Sequence, residues 1–177
     1  DASGKVDELK DNINTMIGNL RLTTDRNTEQ DWLKTNLAKF TNMLQGQRDL
    51  GTVGRLLLSE LTPLVNAQQS VIYQMEIEGS QRLRLLSSYA GGEEGRYNDV
   101  LQLGDGLVGQ CALDKRRLLI SDIPDKAVKI TSALLRAKPR NIVVLPVLFE
   151  NQVKAVIELA SIYIFTPLQI AFLEQLT

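Results

Sequence analysis

Two different spacings of apolar residues divide the chain. From about residue 5 to about residue 66 the large apolar groups recur at helical intervals. Val6, Leu9, Ile13, Met16 and Leu20 are spaced 3-4-3-4, the a/d seam of a heptad that buries against a second helix rather than a broad core. Residues 21–31, RLTTDRNTEQD, hold only Leu22 as a large apolar group. Trp32, Leu33, Leu37, Phe40 and Leu44 then resume the seam out of phase. Leu37 and Leu44 fall at d of the first register, but Leu33 and Phe40 fall at g. A four-residue stutter repairs the mismatch, and such a register change is a place where two packings have similar energy. Leu50, Val53, Leu57, Leu61 and Leu64 keep helical spacing, loosened by Gly51, Gly54 and Pro63. This region predicts a parallel coiled-coil dimer with Val6, Leu9, Ile13, Met16, Leu20, Leu33, Leu37, Phe40 and Leu44 in its seam. It reads either as a plain solvated coiled coil or as a helix that transmits motion.

From about residue 56 onward the signals change to period two and short apolar runs. Residues 70–77 and 82–90 read as strands joined across Glu78-Gly79-Ser80-Gln81, a hairpin-like turn. Residues 117–123 read as a short strand. Two long apolar runs, 141–150 and 153–161, flank a two-residue turn at Asn151-Gln152. Helices are predicted over 107–114 and over 129–137, the latter stopped by Pro139. The last helix has a full start signal: Thr166 to cap, Pro167 at N1, Gln169 at N3 for a capping box, and Phe165 with Ile170 as a hydrophobic staple. Its apolar stripe is still running at Thr177, so the chain is expected to be a piece of a longer protein. Strands joined by tight turns, with helices between them, predict an antiparallel sheet in an α+β fold.

Composition then removes whole classes of chemistry. Among 177 residues there is no histidine, which excludes His-based metal sites, Ser-His and Cys-His nucleophile pairs, and axial His ligation of haem. One cysteine excludes an internal disulfide and fits a reducing compartment, so a cytoplasmic location is expected. A net charge of −1, from 20 basic and 21 acidic residues, gives no reason to expect nucleic acid as a partner. No apolar run approaches the ~20 residues that span a bilayer, and the polar N-terminus is unlike a signal peptide. No cofactor is expected.

One motif invites a specific reading. Gly104-Asp105-Gly106-Leu107-Val108-Gly109 fits G-x-G-x-x-G, and Asp122 follows Gly104 by eighteen residues, in the manner of a dinucleotide fingerprint with its ribose-binding acid. Three features argue against it. The lead-in, GRYNDVLQL, is too polar for a central parallel strand. Only seven residues, Gln110 to Arg116, separate Gly109 from the next strand, too few for a crossover unit of ~30 residues. Asp105 also places a carboxylate where an anionic pyrophosphate would lie. The glycines instead read as backbone devices: Gly104 and Gly106 for a tight turn, Gly109 for close packing of a short helix whose Leu107, Val108 and Ala112 face inward. Cys111 on that helix has only Lys115 near enough to activate it, and reads as a buried filler.

With these segments in order, the chain resembles a GAF domain. The stretches that carry the likeness are LGDGLVGQCALDKRRLLISDIP, NIVVLPVLFENQVKAVIELAS and FTPLQIAFLEQL. The N-terminal GKVDELKDNINTMIGNLR is similar to the second helix of a HAMP domain, and EQDWLKTNLAKFTNMLQGQRDL resembles the linker helix that joins HAMP to GAF in multi-domain hybrid sensor histidine kinases. The resemblance implies a half-HAMP over 1–22, a coiled-coil linker helix over 23–55 and a GAF domain over 56–177. It implies a PAS-like antiparallel sheet with flanking helices and a pocket on one face, preceded by a long signalling helix.

What the resemblance implies for function is a sensor and relay module of a two-component phosphorelay, not an enzyme. Its partners would be a second copy of the chain through the N-terminal helix, the downstream kinase domains of the same protein, and a small-molecule or protein regulator. Without histidine, the phosphoacceptor is not in this segment. HAMP helices often follow a transmembrane segment, which leaves room for a membrane anchor in the parent protein. The departures from better-known branches are informative. Gln169-Ile170 and Ser161-Ile162 stand where the cyclic-nucleotide branch has Asp-Glu and Asn-Lys. Bilin-binding and haem-binding members use histidine. A free-methionine sulfoxide reductase activity relies on several cysteines, where this chain has one. The alternative is a structural dimerisation domain with a filled core and no ligand. If a pocket exists, the candidates for its wall are Tyr89, Asp122, Ile123, Ser132 and Leu135.

Overall fold

The computed structural model describes residues 2–77, 79–91, 97–124, 129–131 and 136–177, with side chains from residue 7 onward. The chain divides into two compact units, 1–42 and 43–177. The first is most of one continuous helix, α1 (Ala2–Leu44). The polar stretch that interrupts the apolar seam does not interrupt the helix. Thr23, Thr24 and Thr28 turn their hydroxyls back to the carbonyls four residues earlier, at 2.9–3.0 Å, so these short polar groups find partners within the helix itself. Side chains from residue 7 to residue 31 are all exposed, the seam residues Leu9, Ile13, Met16 and Leu20 among them. The exposed seam residues run from Leu9 to Leu20.

A break follows. Gly46 takes a left-handed φ of 81°, and Asp49 caps the next helix by accepting from the Thr52 amide at 2.7 Å. Thus α2 (Leu50–Leu64) is a new helix, and the stretch 23–55, which reads as one linker helix, is divided inside itself. Helix α2 lies close on the sheet. A Cβ at Gly54 would sit 3.1 Å from Leu86 Cδ2 and 3.3 Å from Ile72 Cγ2.

The sheet has six antiparallel strands in the order β3-β2-β1-β8-β7-β4. They are β1 (Gln69–Glu76), β2 (Arg82–Tyr89), β3 (Val100–Gln102), β4 (Leu118–Ile120), β7 (Asn141–Phe149) and β8 (Gln152–Ser161). The α+β arrangement expected from the pattern is present. The β7–β8 turn is displaced by one residue from its predicted place. Phe149 pairs with Gln152, so the two-residue loop is Glu150-Asn151. Both take left-handed φ, 50° and 61°, as the hairpin turn that matches strand twist requires.

Two further elements differ from the sequence reading. Strand β3 is unpredicted, because its polar lead-in argues against a buried strand. It is a three-residue edge strand with a single partner, where polar neighbours are ordinary. The predicted helix over 129–137 is contradicted at both ends. Ile130–Thr131 forms β5 and pairs antiparallel with Arg136–Ala137, β6. Both residues of β5 are β-branched, which favours extended backbone over helix. Ser132 and Leu135, with the rest of 132–135, lie outside the described residues.

Alternation along the strands sends side chains to two faces. Helix α2 covers the face that carries Ile72, and α3 (Gly106–Asp114) packs beside β7 and β8 on the other. The α3 face gathers Val71, Tyr73, Leu83, Val144 and Val156 with Val108, Cys111 and Ala112 into one buried cluster. The chain ends in α4 (Pro167–Leu176). It is started by the expected capping box, with Thr166 Oγ1 accepting from the Gln169 amide and Gln169 Oε1 accepting from the Thr166 amide.

Candidate functional site

The glycine motif sets the wall of the site. After β3 the chain turns through Gly104 and Gly106, whose left-handed φ values of 88° and 59° favour glycine. The Asp105 carboxylate accepts from the Gln102 amide at 2.8 Å, so it closes the turn. Gly109 lies where α3 touches this turn. A Cβ there would be 2.5 Å from the Gln102 carbonyl oxygen and 3.0 Å from the Gly104 nitrogen. No parallel strand pair exists among the described residues, so the frame a dinucleotide fingerprint needs is missing. The motif is a joint between strand and helix.

Cys111 faces inward from that joint. It is fully buried, with Sγ 3.3 Å from the Arg116 carbonyl oxygen. Burial pushes its thiol up to about 12, helped by Asp114 and Glu158, so the nucleophilic thiolate is absent at neutral pH. Lys115 is turned away, donating to the Asn151 carbonyl at 2.9 Å.

Between α3 and the sheet lies a cavity of about 620 Å³. Its apolar walls include Val71, Leu101, Leu107, Val108, Ile120 and Ile142, and its polar groups include Tyr73, Tyr97, Asn98, Asp105 and Glu158. A neighbouring cavity of about 180 Å³ shares Val71, Tyr97, Ile142 and Glu158, so the Glu158 carboxylate stands on the common wall. Register explains its setting. Glu158 in β8 is opposed by Val71 on one neighbouring strand and by Val144 on the other. It is a carboxylate on a central strand, flanked by valines, on the face under α3. It makes no hydrogen bond or ion pair with any described residue. Burial raises its pKa above the ordinary carboxylate value.

Tyr73, two register steps along on β1, donates its hydroxyl to the Asn98 carbonyl at 3.0 Å. Burial, with the nearby Glu158, Tyr97 and Asp99, raises its phenol to about 12, and it stays neutral at any physiological pH. The described residues include no cluster of ligands that could hold a metal ion, and no described helix is long and apolar enough to cross a membrane.

The predicted pocket residues separate. Ile123 lines the larger cavity. Asp122 is exposed and outside the lining. Tyr89 is paired with Ser70, whose hydroxyl meets Thr62 of α2, and so lies on the opposite face. Ser132 and Leu135 fall outside the described residues. Leu107, expected inward, is 38% exposed and forms part of the cavity's rim. The residues that sequence reasoning passes over are Glu158, Tyr73 and Tyr97. A signal for Glu158 exists: it is the one acidic residue in the run VKAVIELAS. On period-two alternation it shares a face with Gln152 and Lys154, a face that reads as solvated until both neighbouring strands and α3 are in place.

A family model described as GAF domain matches residues 47–177. Solved structures agree in fold. The GAF domain of a phosphoenolpyruvate-protein phosphotransferase from Coxiella burnetii aligns with a TM-score of 0.65 at 16% identity, covering 81% of this chain and 87% of its own. Its counterpart from Acinetobacter gives 0.62 at 16%, covering 79% and 84%. A free methionine-R-sulfoxide reductase from Neisseria meningitidis, in complex with its substrate, gives 0.60 at 15%, covering 79% and 80%. No match is found among curated proteins.

Proposed function

The chain belongs to the GAF domain family, and from that premise we propose that residues 43–177 form a sensory regulatory domain that binds a small molecule in the cavity beside Glu158. GAF domains are signalling and regulatory domains. The observation that carries the reading is the cavity itself: about 620 Å³, bounded by apolar walls and a few polar groups, the usual make-up of a ligand site. A domain that served only as a spacer would gain stability by filling this volume with side chains.

The proposal extends to the signal's route. Helix α1 supplies a long exposed apolar seam, suited to a parallel homodimer that passes a conformational bias along its axis. The likeness of its sequence to a HAMP second helix and linker supports a parent of the hybrid histidine kinase type. Phosphotransfer is not carried by these residues, since a phosphoacceptor histidine is absent from all 177. Function on this reading is a coupling free energy between ligand site and helix.

Two measurements test it. A ligand that binds only the native state raises the melting temperature by mass action. Thermal shift with a metabolite panel is expected to yield at least one compound whose effect disappears in Leu107→Trp, which obstructs the rim without entering the core. A panel without effect supports the spacer reading instead. In sedimentation equilibrium at micromolar concentration the chain is expected as a dimer, and Ile13→Asp with Met16→Asp as a monomer. A monomeric wild-type chain would count against the relay.

A further inference from the structure

We infer that the cavity beside Glu158 takes an organic ammonium ion, a small cation with an apolar body. The inference rests on the ligand-site reading above and adds the chemical class. Its first support is the charge lining the space. Glu158 and Asp105 are the ionisable acids of the wall, and no lysine or arginine lines either cavity among the described residues. Asp99 adds further negative potential near Tyr73. An anionic guest such as a nucleotide or a carboxylate would meet repulsion from Glu158 at its charged end.

The second support is the state of Glu158. A carboxylate in apolar surroundings is costly unless paired, and protein carboxylates so placed are normally met by a cation or several donors. Among the described residues Glu158, which is half-buried, has neither. A bound ammonium would supply both the opposite charge and up to three N–H donors.

The third support is aromatic. Tyr73 and Tyr97 line the same space as Glu158. The Tyr73 hydroxyl proton is committed to the Asn98 carbonyl, which leaves its oxygen able to accept and its ring face able to attract a cation. Val71, Leu107, Val108, Ile123 and Ile142 receive an apolar body. The expected guest is therefore amphipathic, charged at the Glu158 end and apolar toward α3.

The test uses the full chain and three matched probes: 2-phenylethylammonium chloride, 2-phenylethanol and sodium 3-phenylpropionate. Calorimetry and thermal shift are expected to show saturable binding of the ammonium, weaker binding of the alcohol and none of the carboxylate. Glu158→Gln is expected to weaken the ammonium about tenfold or more, the scale of one hydrogen bond to a charged group, and to leave the alcohol unchanged. Equal ammonium binding by Glu158→Gln overturns the assignment. So does binding of the carboxylate in preference to the ammonium. If the ammonium fails while a neutral or anionic metabolite binds and Leu107→Trp blocks it, the charge assignment falls and the sensory site stands. If no compound of any charge binds, both fall.

Discussion

Replacing Glu158 with Gln is expected to stabilise the ligand-free protein at neutral pH, because the amide keeps the size of the side chain and removes the charge that its surroundings disfavour. The gain is expected to vanish in acid. The reason is linkage. Burial raises the folded-state pKa of Glu158 above its value of 4.5 in an open chain. Between these two values the native state holds a proton that the unfolded state has released. Stability of the wild-type chain therefore falls as pH rises through that window, and levels off above the folded pKa. Below pH 4.5 the side chain is neutral in both states and resembles its amide. Thermal melts of both proteins from pH 4 to pH 8 give the difference directly. A wild-type chain more stable than Glu158→Gln at pH 7.5 would show that the carboxylate is already paired in solution. Addition of 2-phenylethylammonium is expected to reverse the order at neutral pH, because the bound cation favours the ionised acid.

Glu158 also shows where the sequence is legible and where it is not. Local rules succeed where a local interaction decides. Thr166, Pro167 and Gln169 announce the start of α4 because both capping bonds lie within four residues. The long strands are readable because β7 and β8 carry apolar runs of strand length on either side of a tight turn. The rules fail where topology decides. Residues 129–137 have helical spacing, yet the β-branched Ile130-Thr131 finds a partner strand six residues on. The lead-in to β3 is too polar for a central strand and is correct for an edge. Tyr89 ends a strand as expected, but a bulge between Ile72 and Tyr73 and the pairing with Ser70 settle its face, and neither can be read from spacing. Of the predicted pocket residues that are described, Ile123 alone lines the cavity. Glu158 stands out only after two strands and a helix have been placed around it.

The glycine motif supports the second expectation. Gly109→Ala is expected to destabilise the domain by about 2–4 kcal/mol, the upper range for forcing an atom into a packed site. Two effects of opposite sign compete. In a free helix interior, alanine is favoured over glycine by about 1 kcal/mol, and Gly109 is helical. Its Cβ, however, would lie 2.5 Å from the Gln102 carbonyl oxygen, 3.0 Å from the Gly104 nitrogen and 3.1 Å from the Gly104 carbonyl carbon. All three are backbone atoms of a turn already closed by Asp105 and by left-handed glycines. No side chain can rotate away. Relief requires α3 to lift from the β3 turn, which unseats Val108, Cys111 and Ala112 from the core together. Packing therefore overrides propensity. Gly51→Ala in α2 is the control. A Cβ there meets only the Asp49 carboxylate oxygens, at 3.6 and 3.9 Å, and the change is expected to be neutral or slightly stabilising. Denaturant melts of the two variants separate the effects. If Gly109→Ala proves as stable as Gly51→Ala, α3 is not held by the turn and can move relative to β3, and the cavity it walls would be adjustable in size.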